Sequence, residues 1–501
     1  MAKKTDDELS IISPPPSPFP TGSLPLKLTT ADAVLLTLKN NRSLMVEQLN
    51  PAIQNTFEDA ERAIFDPFAT IEISSGRTDG KSQSSSSTGI REFSEVGALG
   101  VISLKQYFPT GATVTLEGKT EMNDSSLYRD ALYWSRLGLT VNQALLSGAG
   151  TAVNLVRLRQ ARLDTRMSEY ELRGFTQSLV AQTEETYWDY ALAKRRVEIY
   201  EESLKVAQDQ LNEALALIEV GRLAKSELPA SQAELASQEQ GLIDARSKRK
   251  IARLNLIRLL NPSGVNAWER EVDLIYQPAL PNIKLDPVPA HVEVAKRSRP
   301  LLNETRVQLM RNDLEVVKTK NGLLPLLDLF VTLGKSGYAD SFGRSFQNLT
   351  EDEYDAYVGI QFQYPIFNRG PQSNYRRSML NREQAQKALD NLLQLVELDV
   401  RIAYVEVNRT REQIGASATT RRFSEETLRI ETEKLRVGQS TSLLVAQAQR
   451  DLLISRIAEV EALASYIKAL IHLYRQDGSL LERRGIVAPG RETVNLSRAR
   501  P

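Results

Sequence analysis

The fold is decided by the stretch Val220-Gly221-Arg222-Leu223-Ala224-Lys225-Ser226-Glu227-Leu228, which has a counterpart in Val437-Gly438-Gln439-Ser440-Thr441-Ser442-Leu443-Leu444. Each stretch lies between two long segments of helical periodicity. Glycine readily ends a helix because it adopts the left-handed backbone conformation without steric cost. We therefore interpret the two stretches as the tips of two helical hairpins.

The arms of both hairpins carry a seven-residue apolar repeat. Before the first tip it consists of two rows three positions apart, Val197, Leu204, Leu211 and Ile218 with Tyr200, Ala207 and Ala214. After the first tip it continues at Leu228, Leu235 and Leu242, and after the second at Leu453, Val460, Ile467 and Tyr474. A strict seven-residue repeat is typical of supercoiled helices, so the sequence predicts long coiled-coil arms.

Alternating apolar and polar residues predict β-strands in front of each hairpin. The alternation covers 69–74, 112–117 and 137–142 in the first half, and 327–333 and 358–366 in the second. Pro109-Thr110-Gly111 predicts the turn of a β-hairpin. The Gly- and Ser-rich stretch 76–89 predicts an exposed loop.

The order of these elements indicates an internal duplication. Gly221 precedes Gly438 by 217 residues, and Gly138 precedes Gly359 by 221. Two halves of similar length therefore each contain a helix, strands and a helical hairpin. The predicted divisions are an extended Pro-rich segment at 1–27, a first repeat at 28–261, a linker at 262–287, a second repeat at 288–478 and a C-terminal tail at 479–501.

The composition argues against several classes of function. The 501 residues hold 63 Lys and Arg against 63 Asp and Glu, so no charge excess favours a nucleic acid partner. Cysteine is absent and the two histidines are His291 and His472, which argues against disulfides and a metal site. The sequence has no phosphate-binding loop, nucleophile elbow or metal-ligand spacing, and no apolar run of about 18 residues. We expect no enzyme activity and no cofactor.

The predicted strands fit either a membrane barrel or a soluble sandwich. One apolar face is expected from Leu137, Leu139 and Val141, and from Val358, Ile360, Phe362 and Tyr364. Such a face contacts lipid in a barrel and an apolar core in a sandwich. The few strands of each half cannot close a barrel alone, and unpaired strand edges promote association. An oligomer that combines the strands of several copies would close the barrel and leave no unpaired edges, and this favours the barrel over the sandwich.

The chain resembles the TolC-like family of outer membrane efflux proteins over about residues 28–475. In the first half the resemblance rests on Leu28-Thr29-Thr30-Ala31-Asp32-Ala33, Asn40-Asn41, Phe65-Asp66-Pro67 and Val141-Asn142-Gln143-Ala144-Leu145-Leu146-Ser147-Gly148. In the second half it rests on Val358-Gly359-Ile360, Tyr364-Pro365-Ile366-Phe367-Asn368-Arg369-Gly370 and the Val-Gly tips. Each motif is weak alone, but their order and spacing together are specific.

The resemblance implies a mainly α-helical protein with β-strands and an internal duplication. It implies a homotrimer whose coiled-coil hairpins form a periplasmic α-barrel and whose transmembrane strands form one barrel only in the trimer, in contact with outer membrane lipid. Such a trimer is the exit duct of a tripartite efflux pump or type I secretion system. The implied partners are a periplasmic membrane-fusion adaptor and an inner-membrane transporter, in a Gram-negative-type cell.

By the same resemblance, the tips lie at the periplasmic end of the duct. The implied docking residues for the adaptor are Val220, Gly221, Arg222, Leu223, Val437, Gly438, Gln439 and Thr441. Family members often place acidic residues six positions after each glycine, and three further on in the second repeat. Glu227 fits this pattern, whereas Leu444 and Gln447 depart from it, and these three residues form the expected channel constriction. Alternatively, Glu227 is a first-turn acid favoured by the helix dipole and Leu444 fills a heptad core.

Two features depart from the resemblance. The first half carries an additional hairpin at about 96–121, whereas the family contributes two strands per half and twelve per trimer. This hairpin either enlarges the barrel or packs elsewhere. The first 25 residues lack the apolar stretch of a signal peptide. The alternative function is therefore a soluble coiled-coil scaffold without channel activity.

Overall fold

The computed structural model describes residues 25–83, 90–127, 129–262, 267–275 and 285–496. Residues 1–24 of the predicted N-terminal segment, 84–89 of the predicted loop, much of the predicted linker and 497–501 of the predicted tail lie outside the described residues. The chain divides into two units. The helical unit runs up to Glu47 and includes Gly174–Arg299 and Val396–Ala488; the sheet unit comprises Gln48–Arg173, Pro300–Leu395 and the residues from Pro489 onwards.

The described chain contains runs of helices separated by strands. The helices are α1 Thr30–Asn40, α2 Arg42–Glu47, α3 Leu49–Arg62, α4 Thr151–Asn154, α5 Val156–Glu219, α6 Leu228–Leu260, α7 Val288–Ser298, α8 Pro300–Asn321, α9 Phe342–Gln347, α10 Arg369–Arg436, α11 Ser442–Gln476 and α12 Leu480–Arg483. The strands are β1 Leu26–Leu28, β2 Phe68–Gln83, β3 Ile90–Tyr107, β4 Ala112–Ser125, β5 Leu132–Ala144, β6 Val272–Leu274, β7 Leu326–Ala339 and β8 Tyr354–Gln363.

The sheet unit is built on six antiparallel strands in the order β2-β3-β4-β5-β7-β8. Helices α3 and α8 lead into β2 and β7, and β5 and β8 lead into α4 and α10. In an antiparallel sheet of this order, all four of those strand ends lie at the same end of the strands. We call this end of the sheet the helix-linked edge, as distinct from its two outer strands. Among the described residues, β2 and β8 are the two outer strands, so the part of the sheet that the structure describes is open within one chain.

The two faces of this sheet differ in chemistry. The pairings of Leu104 with Leu116, Leu116 with Leu139 and Leu139 with Leu333 form a continuous apolar row across four strands. A neighbouring row contains Val114, Val141, Val331 and Val358. The other face carries polar, charged and glycine residues in register, such as Glu117, Gly138, Gly334 and Asp355. The alternation read from the sequence is therefore confirmed in β4, β5, β7 and β8.

The strand ends differ from the sequence expectations at two places. Residues 76–83, expected in a loop, continue β2, because each of them pairs with a residue of β3. Tyr364, expected on the apolar strand face, lies just beyond the last residue of β8, in the turn before α10. In that turn Asn368 adopts a left-handed conformation with φ of 44°, and its side-chain amide donates to the Leu323 carbonyl over 3.0 Å.

The helical segments that precede the strands of each repeat are divided into shorter helices. The segment Thr30–Arg62 divides at Asn41, whose side-chain oxygen accepts a hydrogen bond from the Leu44 amide at the start of α2, and again at Gln48. The segment Val288–Asn321 divides at Arg299, since α7 ends at Ser298 and α8 begins at Pro300. Capping side chains and prolines end helices in this way.

The Asn40-Asn41 motif joins the ends of α1 and α6. The Asn41 side chain donates to the Leu259 carbonyl over 3.2 Å, and the Asn261 side chain donates to the Asn40 carbonyl over 2.9 Å. The strands β1, which precedes α1, and β6, which follows α6 in the chain, form a short parallel ribbon. The hydroxyl of Tyr190, on α5, donates to the Val272 carbonyl. Neither of these two short strands stands out in the sequence, because each is only three residues long.

Heptad residues pack between the hairpin arms of the helical unit, as the repeat predicts. Val197 on α5 forms a buried cluster with Leu242 and Ala245 on α6, and Tyr200 and Leu204 pack against it. Heptad residues of the second hairpin are also buried, for example Ala464, Ile471 and Tyr474. In the described part of the chain, none of the helices combines the length and apolar character needed to cross a membrane.

We expect Ile360→Arg to prevent membrane assembly and Gln361→Arg to permit it. Both residues lie in β8, but Ile360 pairs with Leu329 on the apolar face and Gln361 pairs with Asp328 on the polar face. An arginine on a lipid-facing position of a strand costs about 2–4 kcal/mol near the membrane midplane. The measurement is the amount of folded oligomer in outer membrane fractions on semi-native gels. Equal assembly of the two variants would contradict a lipid-facing role for the apolar face.

Candidate functional site

Both glycine-marked tips are helix C-caps of the same type. Gly221 has φ of 74° and Gly438 has φ of 78°. The residue after each glycine donates its amide to the carbonyl five positions back, Arg222 to Leu217 and Gln439 to Lys434, each over 2.8 Å. The glycine itself donates to the carbonyl three positions back. This pair of bonds defines a Schellman motif, which requires the left-handed residue that glycine supplies.

The two tips are joined by one side chain. A carboxylate oxygen of Glu227, which precedes α6, accepts a hydrogen bond of 2.8 Å from the backbone amide of Ser442, the first residue of α11. The first amides of a helix have no partner within the helix and carry partial positive charge. Glu227 therefore caps the first turn of a helix in the other repeat, and holds the two tips together.

The second tip is also fixed by its own side chains. Ser440 donates to Glu431 over 2.7 Å, and the Thr441 side chain accepts from the Leu444 amide as the N-cap of α11. Hydrogen bonds from Lys434 and Ser440 hold the pKa of Glu431 below its ordinary value. A carboxylate with a depressed pKa contributes stability above its unfolded-state pKa, and this contribution is lost as the pH falls through the folded-state pKa. The Glu431 contacts therefore persist until the pH falls below the ordinary glutamate range.

The residues expected to dock an adaptor lie on the surface of the tips. Val220 is 68% exposed and Val437 is 69% exposed, so the two repeats present matching apolar side chains. Arg222 and Gln439 are exposed at equivalent positions after the glycines, and Leu223 is half-buried. The first tip adds the exposed cation Lys225, whereas Thr441 at the second tip is neutral. The two tips are therefore alike in shape and different in charge.

The three residues expected at a constriction fall into two environments. Glu227 is half-buried and bonded to Ser442. Leu444 is 46% exposed and Gln447 is exposed, and both share a helix face of α11 with the exposed Ile454. Leu444 is exposed in the single chain, and whether it lines a constriction or packs in a heptad core of an assembly stays a prediction. Glu227 bonds to the first turn of α11 and not to that of α6, and both interpretations of Glu227 stay predictions.

Polar side chains also link the hairpins beneath the tips. The buried Glu234 of α6 accepts a hydrogen bond of 2.6 Å from Gln238 and forms an ion pair with Arg450 of α11. Arg436 of α10 forms an ion pair of 3.0 Å with Glu213 of α5. The sequence analysis missed these contacts, as it missed the Glu227–Ser442 bond. These contacts join residues of different repeats, or residues on successive turns of one heptad helix. Charged residues are common on such helices, so no local sequence pattern identifies the pairs.

The described residues contain no group of three His, Cys, Asp or Glu side chains placed to hold a metal ion. His291 is buried and its Nδ1 lies 2.7 Å from a carboxylate oxygen of the buried Asp477. The amide of Ser479 donates to the other Asp477 oxygen. This pair fixes the end of α11 and provides a structural role for the histidine.

Comparison with known proteins assigns the fold to a family. A model of the outer membrane efflux protein family matches residues 114–262 and 292–479, which is more than half of the chain. The chain belongs to the outer membrane efflux protein family. The matched ranges contain both tips, strands of both repeats and all four long helices α5, α6, α10 and α11. They exclude β2 and β3.

Individual members of the family share low identity with this chain. The outer membrane efflux protein BepC of Brucella suis is 23% identical over 372 residues, 74% of this chain and 76% of the relative. The MtrE outer membrane channel of Neisseria gonorrhoeae, solved in an open state, is 17% identical with a TM-score of 0.61, over 90% of this chain and 89% of that chain. The outer membrane protein VceC of Vibrio cholerae is 14% identical with a TM-score of 0.65, over 90% and 96%. These structural likenesses show the TolC-like fold.

Family membership assigns the chain to the efflux proteins of the outer membrane. The family's relatives are channel proteins, so the coiled-coil arms and the open sheet belong to one known architecture. The tips, the exposed face of α11 and the two sheet faces are the surfaces that this architecture leaves for function.

We expect Glu227→Ala to loosen the tips and raise the open-to-closed ratio of the channel about fivefold. The substitution removes a charge-assisted hydrogen bond at a half-buried site, worth on the order of 1 kcal/mol. Single-channel recording in planar bilayers measures this ratio. Glu239→Ala, at an exposed position of α6, is the matched control and should leave it unchanged. Glu227→Gln keeps a side-chain oxygen that can accept from the Ser442 amide, so the ratio should rise less than in Glu227→Ala. An unchanged ratio in Glu227→Ala would contradict the capping role.

Proposed function

We propose that this protein is the homotrimeric exit duct through which an efflux pump or a type I secretion system passes its substrates across the outer membrane. The observation that carries the proposal is the open six-stranded sheet with one apolar and one polar face. A sheet in lipid must close into a barrel, because hydrocarbon offers no partner for unpaired backbone groups. Membership of the outer membrane efflux family supports closure by copies of the same chain.

The apolar face supplies the proposed contact with lipid. Leu137, Leu139, Val358, Ile360 and Phe362 are all more than a third exposed in one chain. Val141 lies in the same face, paired with Val114 and Val331. Exposed aliphatic side chains in register over several strands are costly in water and stable in hydrocarbon.

The polar face supplies the proposed water-filled lumen. Arg136 on β5 forms two hydrogen bonds with Asp355 on β8, of 3.1 Å and 2.7 Å. The pair passes over Gly334 of β7, where a Cβ would lie 2.4 Å from a carboxylate oxygen of Asp355. A glycine at this position therefore lets the ion pair lie flat on the sheet. Ion pairs and threonines on this face, such as Thr140 and Thr332, suit contact with water.

The tips supply the proposed docking surface for a periplasmic adaptor. Val220 and Val437 are matching apolar anchors, and Gly221 and Gly438 fix the turns beneath them. The neighbouring positions Arg222, Leu223, Gln439 and Thr441 complete the two surfaces. Apolar anchors with a polar rim are typical of protein interfaces. An inner-membrane transporter is the proposed source of the substrate.

The constriction is proposed at the same end of the duct. Leu444 and Gln447 lie on the exposed face of α11 beside the bond that joins Glu227 to Ser442. Exposed leucines brought together by symmetry close a pore by excluding water. Opening requires the tips to separate, and breaking the Glu227 contact is one step in that movement.

The function is tested by export together with conductance. A strain that lacks the chromosomal gene should lose efflux or secretion, and the intact chain should restore it. The purified protein should be a trimer in detergent and conduct ions in a planar bilayer. A purified protein that remains monomeric and never conducts would contradict the proposal and favour a scaffold.

We expect Val220→Asp and Val437→Asp to abolish export without altering the isolated channel. Each substitution places a charge in the proposed apolar contact with the adaptor, where desolvation costs binding energy. Outer membrane trimer levels and bilayer conductance should match those of the unmodified protein. Val487→Asp, at another exposed valine of the helical unit, is the control. Loss of export in the control, or unchanged export in both tip variants, would rule out docking at the valines.

A further inference from the structure

The two repeats contribute different numbers of strands to one sheet. The first repeat provides β2, β3, β4 and β5, and the second provides β7 and β8. The family match begins at residue 114, within β4, and therefore excludes β2 and β3. An additional strand pair stands between the matched strands and the free edge of the sheet.

This additional pair is a full part of the sheet. Pairing between β3 and β4 is continuous from Tyr107 with Thr113 to Glu95 with Ser125. Pairing between β2 and β3 is continuous from Phe68 with Lys105 to Gln83 with Ile90. A hairpin that packed elsewhere would have to break the ladder between β3 and β4, and each unpaired backbone group in lipid costs several kcal/mol.

The turn between β3 and β4 is anchored to the helix-linked edge. The Ala144 amide donates to the Gly111 carbonyl, and the Gly150 amide donates to the Thr110 carbonyl. The Asn154 side chain donates to the Pro109 carbonyl over 3.1 Å. These bonds hold the turn against the segment that leads from β5 into α5, so β4 cannot easily leave the sheet.

The apolar face also continues across the additional strands. Ile71 on β2 pairs with Ile102 on β3, and Ile102 pairs with Gly118 on β4. Ile71 and Ile73 are exposed, and Ile73 is 84% exposed. The lipid-facing surface proposed above therefore extends to the free edge at β2.

The two outer strands have opposite directions. The sheet contains six strands that alternate in direction, so β2 runs away from the helix-linked edge and β8 runs towards it. When copies are arranged head to tail in a ring, β8 of one copy meets β2 of the next as an antiparallel neighbour. An even number of strands per copy allows every seam to form in this way.

Exposed apolar residues flank both outer strands at the helix-linked edge. Leu49, Ile53 and Phe57 are exposed along one face of α3, which leads into β2. Ile366 and Phe367 are exposed in the turn that follows β8. A ring closed through β2 and β8 brings the α3 of one copy next to the Ile366–Phe367 turn of another. Both apolar surfaces would then be covered by the same contact.

We propose that three copies close into a barrel of eighteen strands, with β2 of each copy paired to β8 of the next. This inference rests on the trimeric duct proposed above. The family resemblance implies twelve strands in the trimer, whereas six strands from each of three copies give eighteen. Barrel diameter grows roughly linearly with strand number, so the lumen is about half as wide again as that of a twelve-stranded barrel. The barrel is then the wide part of the duct, and control of passage falls to the tips.

The seam is tested by disulfide formation between copies. The chain has no cysteine, so every bond comes from introduced residues. Ile71→Cys or Ile73→Cys is combined in turn with Ala356→Cys, Val358→Cys, Ile360→Cys or Phe362→Cys, which share the apolar face. Within one chain, β2 and β8 are separated by four strands, which is too far for the Cα separation of about 4–7 Å that a disulfide requires.

After oxidation in the outer membrane, we expect covalent dimers and trimers on non-reducing gels for at least one of these combinations. Leu116→Cys on β4, combined with the same four β8 substitutions, should give none, because β3 and β5 flank β4. Links from Leu116→Cys in the full chain, or the absence of links from both β2 positions, would overturn the eighteen-stranded barrel.

In a shortened chain, the seam between copies should form at a different strand. Removing residues 68–107 deletes β2 and β3 and leaves both cut ends at the helix-linked edge. The free edge is then β4, so Leu116→Cys should gain the link to β8 that it lacks in the full chain. Equal amounts of covalent dimer and trimer from Leu116→Cys in the full and the shortened chain would contradict the proposal.

Conductance of the unmodified protein separates the barrel from the duct function. Seam links in a protein that never conducts would overturn the duct function and keep the barrel. Normal conductance with links from β4 in the full chain would keep the duct function and overturn the barrel.

Discussion

The backbone hydrogen bonds of β2 and β8 are the constraint on which the rest of the structure depends. Within the described part of one chain, each of these two strands pairs on one side only. Water can satisfy the free side, but hydrocarbon cannot. The sheet can therefore enter a membrane only as part of a closed assembly, and symmetry then places the coiled-coil hairpins of all copies around one axis. Closure of the sheet therefore decides how the long helices and tips of different copies are placed around that axis.

The sequence predicted the parts of the fold that follow from periodicity. The heptad spacing located the hairpin arms, and the glycines after Val220 and Val437 located their ends, because a left-handed C-cap requires glycine. Strand ends were predicted less well. Residues 76–83 are rich in Gly, Ser and charged residues, yet pairing with β3 keeps them in a strand. Tertiary hydrogen bonding overrode local composition there.

The candidate site was predictable in its position and unpredictable in its contacts. Exposure of Val220 and Val437 follows from their place next to a turn. The contact of Glu227 with Ser442 does not, since it joins residues 215 positions apart and a glutamate before a helix ordinarily has a local explanation. The exposure of Leu444 could not be predicted from the sequence either, because a heptad position is buried only when a partner helix covers it.

The Glu227–Ser442 bond also sets an order of events during folding. In a chain that is delivered from its N-terminus, the first hairpin can form before residue 442 is available. Its tip then lacks the amide that Glu227 will bind, and the entropy of closing a 215-residue loop has to be overcome first. The end of the helical unit that carries the tips is therefore completed late, after its second repeat has folded against the first.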